Sequence, residues 1–95
     1  MKKFKVSFRP LAEADLFRLY DYLADEAGPD VAGGYIARIE AACLALEAFP
    51  ARGTRRDDIR PGIRTLGFER RATIDSITAR MISAIRPVVI PRIVQ

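Results

Sequence analysis

Residues 16–30 read LFRLYDYLADEAGPD, and this stretch sets the fold class. Its apolar residues recur at i, i+3, i+4 and i+7, the spacing of one stripe along a helix: Leu16, Leu19, Tyr20 and Leu23. Gly28 and Pro29 end the helix, because glycine suits the left-handed cap and proline cannot continue the hydrogen-bond ladder. Pro10 is suited to its first position, where a missing N–H costs nothing. We therefore predict an amphipathic helix between Pro10 and Gly28.

A second amphipathic stretch follows the Gly-Pro stop and runs to about Leu46 or Ala48. Its apolar stripe comprises Tyr35, Ile36, Ile39, Ala42, Cys43, Leu46 and Phe49. Because only a short turn separates the two stretches, the pattern predicts an antiparallel helical hairpin.

Strand signals flank this hairpin on both sides. Residues 3–9 alternate between apolar and polar side chains, which predicts a strand with one buried face. Residues 63–68 and 72–74 predict two more strands. The order predicts an α+β domain with a helical hairpin packed on one face of a small, mainly antiparallel sheet.

The last twenty residues fit more than one structure. Four apolar residues have spacings that suit a helix: Ile77, Met81, Ile82 and Ile85. Residues 88–90 and 92–94 favour strands instead, but Pro87 and Pro91 interrupt them. Proline confines such segments to edge strands or to structure outside a sheet. Both interpretations remain open at this point.

Composition limits the kind of protein this is. The 95 residues predict a single domain over residues 1–95, and no apolar run is long enough for a signal peptide or a membrane span. Cys43 is the only cysteine, so no disulfide forms within the chain, which suits a reducing cytoplasm. The net charge of +4 and the excess of arginine over lysine favour a partner that carries carboxylates or phosphates.

The residues needed for catalysis or metal binding are scarce. Histidine is absent, and all three tyrosines fall in the hairpin, where packing is their simplest role. Arginine stabilises charge but transfers protons poorly, so a nuclease is disfavoured. The adjacent Asp57 and Asp58 have no metal-ligand spacing; they are expected to pair with nearby arginines or to cap a turn. No catalytic residue, metal or other cofactor is predicted, and Cys43 is interpreted as a core residue.

Several motifs nevertheless resemble one family. They are VSFRPLAEADL at 6–16, LYDYLA at 19–24, GPDVA at 28–32, IARIEAACLAL at 36–46 and FPARGTRRDDIRPGIR at 49–64. Their content and order are similar to the ParE branch of the ParE/RelE toxin superfamily, over about residues 5–74. The resemblance implies a β-α-α-β-β(-β) fold of the RelE/ParE type.

The resemblance also implies a function. The chain is expected to be the toxin of a type II toxin–antitoxin system, a non-enzymatic inhibitor of DNA gyrase that forms a hetero-oligomer with a ParD-like antitoxin. One alternative is a ribosome-dependent mRNA endonuclease like RelE. Another is a non-toxic variant that only binds antitoxin. Membrane association and direct nucleic-acid binding are not expected.

An antitoxin segment that combines a helix with an extended stretch is expected to dock where the hairpin meets the sheet. The candidate contact residues are Arg52, Arg56, Arg60, Arg64, Leu16, Tyr20 and Ile74. The plainer alternative for the arginines is a solvated basic loop.

Residues 75–95 depart from the family pattern, as no aromatic residue follows Phe68 and no acidic residue follows Asp75. This atypical tail raises the hypothesis of a reading-frame change or of divergence at Asp75. The departure places the closing strands, and with them toxicity, in question.

Overall fold

The order of helices and strands follows the sequence prediction. The computed structural model describes residues 3–80 and 84–95. Its elements are β1 (Lys3–Phe8), α1 (Pro10–Ala27), α2 (Pro29–Leu44), a single 3-10 turn (Ala45–Glu47), β2 (Thr54–Arg55), β3 (Ile63–Phe68), β4 (Ala72–Thr78), β5 (Ile85–Ile90) and β6 (Ile93–Val94). The α+β class and the antiparallel hairpin are therefore confirmed.

The turn between the helices has the predicted chemistry. Pro10 and Pro29 occupy first positions of α1 and α2, where no N–H partner is needed. Gly28 stands between the helices at φ +96°, a backbone conformation that favours glycine, and its N–H donates to the Ala24 carbonyl at 2.9 Å. The chain thus reverses within one residue, and the two helices pack side by side.

The sheet is mixed, with one parallel pair. Its strand order is β1-β5-β4-β3-β2, and β6 pairs with β4 beside the end of β5. Strands β1 and β5 are parallel, whereas the other pairs are antiparallel. The predicted mainly antiparallel sheet is confirmed, with β4 extending to Thr78 rather than ending at residue 74.

The tail forms strands and not the alternative helix. Ile77 lies in β4 and Ile85 in β5, so the helical interpretation of these two residues is wrong. Met81 and Ile82, the other two residues of that interpretation, lie outside the described residues. The β-branched content of residues 88–90 therefore outweighs the helical spacing.

Pro87 is placed differently from the sequence prediction. It lies in β5, between β1 and β4, although proline was expected only at an edge. The Ala79 N–H donates to the Pro87 carbonyl at 2.8 Å, but proline has no N–H to return. The Arg86 Nε–H donates to the Ala79 carbonyl at 3.1 Å instead. A neighbouring side chain thus satisfies the acceptor that proline leaves free.

A β-bulge separates β5 from β6. Between the pairs Ile74–Ile93 and Ile77–Val89, β4 has two residues, whereas the opposite segment has three, residues 90–92. The extra residue bends the strand and turns a side chain away from the regular ladder. The bulge brings the Arg92 side chain to α1, where it meets Asp15.

The core lies between the hairpin and one face of the sheet. Its fully buried side chains include Ile39, Leu46, Ile74, Val88 and Ile90. Alternate residues of a strand point to opposite faces. Ile77 and Val89, cross-strand partners in β4 and β5, therefore face away from the helices.

One buried carboxylate connects the first helix to the last strand. Asp15 is 7% exposed. It accepts hydrogen bonds from Arg92 Nε (2.8 Å) and Nη2 (2.9 Å), from the Ile93 N–H (2.9 Å) and from Arg18 Nη2 (2.7 Å). Burial alone would raise its pKa, but the bonds from Arg92, Ile93 and Arg18 hold the pKa of Asp15 below its usual value.

Removing this charge is expected to loosen β6. In Asp15→Asn, a neutral amide replaces the carboxylate that faces Arg18, Arg92 and the Ile93 N–H. The substitution should therefore lower the free energy of unfolding by about 2–4 kcal/mol. Because the pKa of Asp15 is lowered in the folded state, its stabilisation is present above about pH 4 and lost as the pH falls further. Urea unfolding between about pH 6 and pH 3 measures both effects.

Asp25→Asn is the matched control, because Asp25 is an exposed carboxylate of the same helix. It should change stability by less than about 0.5 kcal/mol. An Asp15→Asn variant as stable as the control, with the same acid profile as the parent chain, would refute this role for Asp15.

A second constraint lies where the arginine-rich connection, residues 51–62, meets β3. Gly53 has φ +92°, and a Cβ there would lie 2.6 Å from the Thr65 carbonyl oxygen. Gly62 has φ +80°, but a Cβ there would meet nothing within 4 Å. Both positions have a backbone conformation that favours glycine, but only Gly53 also lacks room for a side chain.

Alanine substitution separates the two requirements. Gly62→Ala is expected to cost about 1 kcal/mol for its backbone conformation alone. Gly53→Ala should cost about 2–4 kcal/mol, since the added Cβ would also clash with the backbone of Thr65 in β3. Thermal unfolding of both variants measures the difference, and equal losses would contradict the close approach of Gly53 to β3.

Candidate functional site

An open groove with a volume of about 560 Å³ runs along the helical hairpin. It is lined by residues of the two helices: Glu13, Leu16, Phe17, Tyr20 and Asp21 of α1, and Ile36 and Glu40 of α2. The groove therefore lies on the hairpin itself, and not at the junction of hairpin and sheet where the docking site was expected.

The groove exists because α1 carries two apolar stripes. Ala12, Leu19 and Leu23 are buried and belong to the core. Leu16 and Tyr20 lie next to this stripe on the helix surface and are only half-buried. Because one helix face packs against the rest of the fold, the neighbouring face keeps apolar side chains in contact with solvent.

The groove is apolar along its centre and acidic at its margins. Phe17 is 74% exposed, which is unusual for a phenylalanine in a folded domain. Glu13, Asp21 and Glu40 supply the carboxylates. An exposed apolar surface bordered by charged residues marks an interaction site more often than an accidental feature.

Charge is divided unevenly between the two halves of the chain. Residues 10–44, which form the hairpin, contain seven acidic residues and two arginines, a net charge of −5. The remaining residues contain fourteen basic and five acidic residues, a net charge of +9. The two halves therefore attract ligands of opposite charge.

Two aspartates stabilise the arginine-rich connection through ion pairs and a backbone hydrogen bond. Asp58 accepts two hydrogen bonds from Arg56, Nε to Oδ1 at 2.9 Å and Nη2 to Oδ2 at 2.8 Å. Asp57 pairs with Arg55 at 2.9 Å and also accepts the Gly62 N–H at 2.9 Å. The prediction that these acids pair with arginines and cap a turn is confirmed.

The seven predicted contact residues fall in three different places. Leu16 and Tyr20 line the groove. The predicted arginines lie in the connection and in β3, and none of them lines the groove: Arg52, Arg56, Arg60 and Arg64. Ile74 is completely buried in the core, so its side chain is not at the surface of this structure. Its apolar side chain packs inward from β4, where Leu66 and Ile93 are its strand partners.

Sequence reasoning missed most of the groove. Phe17, Ile36 and the three marginal carboxylates were not singled out. A local signal for the α1 residues exists, because positions 13, 16, 17, 20 and 21 follow helical spacing. Ile36 of α2 lines the groove because of how the two helices pack, and the spacing of residues along the sequence does not specify that packing.

Two residue types considered for chemistry have structural roles. Tyr35 is buried, and its ring meets Phe68 edge-on with centroids 5.4 Å apart. Cys43 is fully buried, and burial raises the pKa of its thiol to about 12. A thiol with that pKa is an unreactive core group at neutral pH. The core interpretation of Cys43 is confirmed.

Over residues 3–80 and 84–95, no three histidine, cysteine, aspartate or glutamate side chains gather as a metal site would require. Neither of the helices in these residues has the length and apolar character needed to cross a membrane.

Comparison with known proteins agrees with this architecture. A family model described as the ParE toxin of the type II toxin-antitoxin system, parDE, matches residues 6–91. Toxin ParE3 of Caulobacter vibrioides is 40% identical over 61 residues, an alignment that covers 64% of this chain and 60% of that protein. A solved chromosomal ParDE TA system from P. aeruginosa matches with a TM-score of 0.78 at 26% identity, over 98% of this chain and 96% of that chain.

The family match also bears on the tail. It continues past residue 74, where the sequence resemblance was expected to end, and reaches residue 91. Strands β5 and β6 are present in the same region. The family match therefore extends beyond Asp75, whereas the hypothesis of a reading-frame change or of divergence there stays a prediction. The chain belongs to the ParE toxin family of type II toxin–antitoxin systems.

Proposed function

We propose that this chain inhibits DNA gyrase without enzymatic chemistry of its own and is neutralised by a ParD-like antitoxin in the cytoplasm. The open groove of the hairpin is the observation that supports antitoxin binding. Its apolar centre is formed by side chains of both helices and leaves Phe17 largely in solvent. A partner helix laid on this surface would bury that ring.

The antitoxin would use two surfaces of opposite charge. A helical segment would lie in the groove, where Leu16 and Tyr20 provide apolar contacts. An extended acidic segment would follow the arginine-rich connection. In that connection Arg56 is committed to Asp58, whereas Arg52 and Arg60 form no ion pair within residues 3–80 and 84–95. These two arginines are the better candidates for partner carboxylates.

A non-enzymatic action is the simplest reading of the side chains. The chain has no histidine, and Tyr35 is committed to the core. Arginines remain charged at every physiological pH and are poor proton shuttles. The inhibitor interpretation needs only surface contacts with gyrase, the target that the family implies.

Induction of the chain with and without antitoxin tests the proposal. Growth arrest, relaxed plasmid DNA and loss of supercoiling activity in purified gyrase are the expected results, all reversed by antitoxin. Messenger-RNA cleavage without an effect on gyrase would favour the RelE-like endonuclease. Normal growth together with tight antitoxin binding would identify a non-toxic variant.

Charge reversal in the arginine-rich connection should weaken the antitoxin complex. Arg52→Glu and Arg60→Glu each replace an attraction to acidic residues by a repulsion, and each should lower the affinity about tenfold. Titration calorimetry of the purified chain with antitoxin measures this loss.

Arg9→Glu is the control, because Arg9 is exposed between β1 and α1, outside both surfaces. It should leave the affinity unchanged. Equal affinities for all three variants would remove the arginine-rich connection from the antitoxin interface, although the groove would remain a candidate.

A further inference from the structure

We infer that the helix that occupies the hairpin groove carries lysine or arginine beside its apolar stripe, so that the partner is basic at this site and acidic only at the arginine-rich connection. The inference rests on the proposed function, in which an antitoxin helix fills the groove. It adds the sign of the charge on that helix, which we deduce from the charged residues around the groove.

The margins of the groove carry charge of one sign. Glu13 and Asp21 lie on α1, and Glu40 lies on α2. A helix seated between them would pass carboxylates on both sides. Within residues 3–80 and 84–95, none of the three forms an ion pair with the chain's own lysines or arginines. Their charges are therefore available to a partner.

The hairpin has no basic residue left to offset them. Its two arginines are Arg18 and Arg38. Arg18 donates to the buried Asp15 at 2.7 Å, and Arg38 donates to Glu69 of the β3–β4 turn at 3.0 and 3.2 Å. Neither lines the groove. An acidic helix in this position would meet repulsion on both sides without a compensating cation.

The aromatic residues of the groove favour the same ligand chemistry. Phe17 and Tyr20 lie one helical turn apart on the α1 side of the groove. The face of an aromatic ring attracts ammonium and guanidinium groups, and this attraction increases as water is excluded. A lysine or arginine with its aliphatic stem along Phe17 and its charged head at Asp21 would satisfy both contacts.

A second copy of the chain is a poor occupant. A symmetric contact would bring the groove margins of two copies together, because the same patch is used twice. Carboxylates would then face carboxylates, and like charges in an interface disfavour association. We therefore expect no self-association through the groove.

A pair of peptides tests the charge of the occupant. Both form amphipathic helices of about 18 residues with the same leucine stripe, one flanked by lysine and the other by glutamate. Binding to the intact chain is measured by fluorescence anisotropy at low and at moderate salt. We expect the lysine peptide to bind at least about tenfold more tightly, with the preference shrinking as salt rises.

Variants of the chain locate the effect. Asp21→Lys and Glu40→Lys should abolish the preference or reverse it in favour of the glutamate peptide. Asp25→Lys makes the same charge change on α1 at an exposed position that does not line the groove, and it should preserve the preference. Circular dichroism of all three variants confirms that each is folded.

Equal binding of the two peptides, binding of neither, or a preference that Asp21→Lys and Glu40→Lys leave intact would each overturn the inference. Dimerisation of the chain that Phe17→Ala abolishes would also overturn it. The proposed function fails separately, if antitoxin neither binds the chain nor reverses its effect on growth.

Discussion

The fold depends on the single buried carboxylate of Asp15. It joins the first helix to the last strand through three hydrogen bonds of 2.8 to 2.9 Å from Arg92 and the Ile93 N–H. Arg18 of the same helix donates a fourth at 2.7 Å. The β-bulge before Ile93 makes this possible, because it turns Arg92 out of the ladder and towards α1. Without this contact, β6 would keep its short pairing with β4 and the burial of Ile93 in the core, but no polar bond to α1.

Fixing the inner face of α1 determines what its outer face presents. Asp15, Leu19 and Leu23 point into the fold. Because side chains project from a helix at fixed angles, Phe17 must then point towards solvent. The same division separates charge, with acids on the hairpin and arginines on the connection and the sheet. A partner that covers both surfaces needs segments of opposite charge, which suits a chain that wraps around the toxin better than one that docks as a rigid body.

Local chemistry predicted much of the fold. The Gly28-Pro29 stop, the two helical stripes and the alternation of residues 3–9 each act over a few neighbours, and each appears in the structure as expected. The tail was harder, because Pro87 fits inside the sheet only with the help of the Arg86 side chain. The partnership of Asp15 with Arg92 spans 77 positions and leaves no local signal. For the site, the arginines were visible by composition, whereas the groove required the packing of one helix against the other.

In the proposed function, a partner binds to the outer face of the hairpin. Methyl NMR of the chain titrated with the proposed antitoxin tests this binding. Leu16 and Ile36 line the groove, whereas Ile77 and Val89 lie on the opposite face of the sheet. The account predicts large shifts for the methyl groups of Leu16 and Ile36, with those of Ile77 and Val89 nearly unchanged. Large shifts confined to Ile77 and Val89 would contradict it.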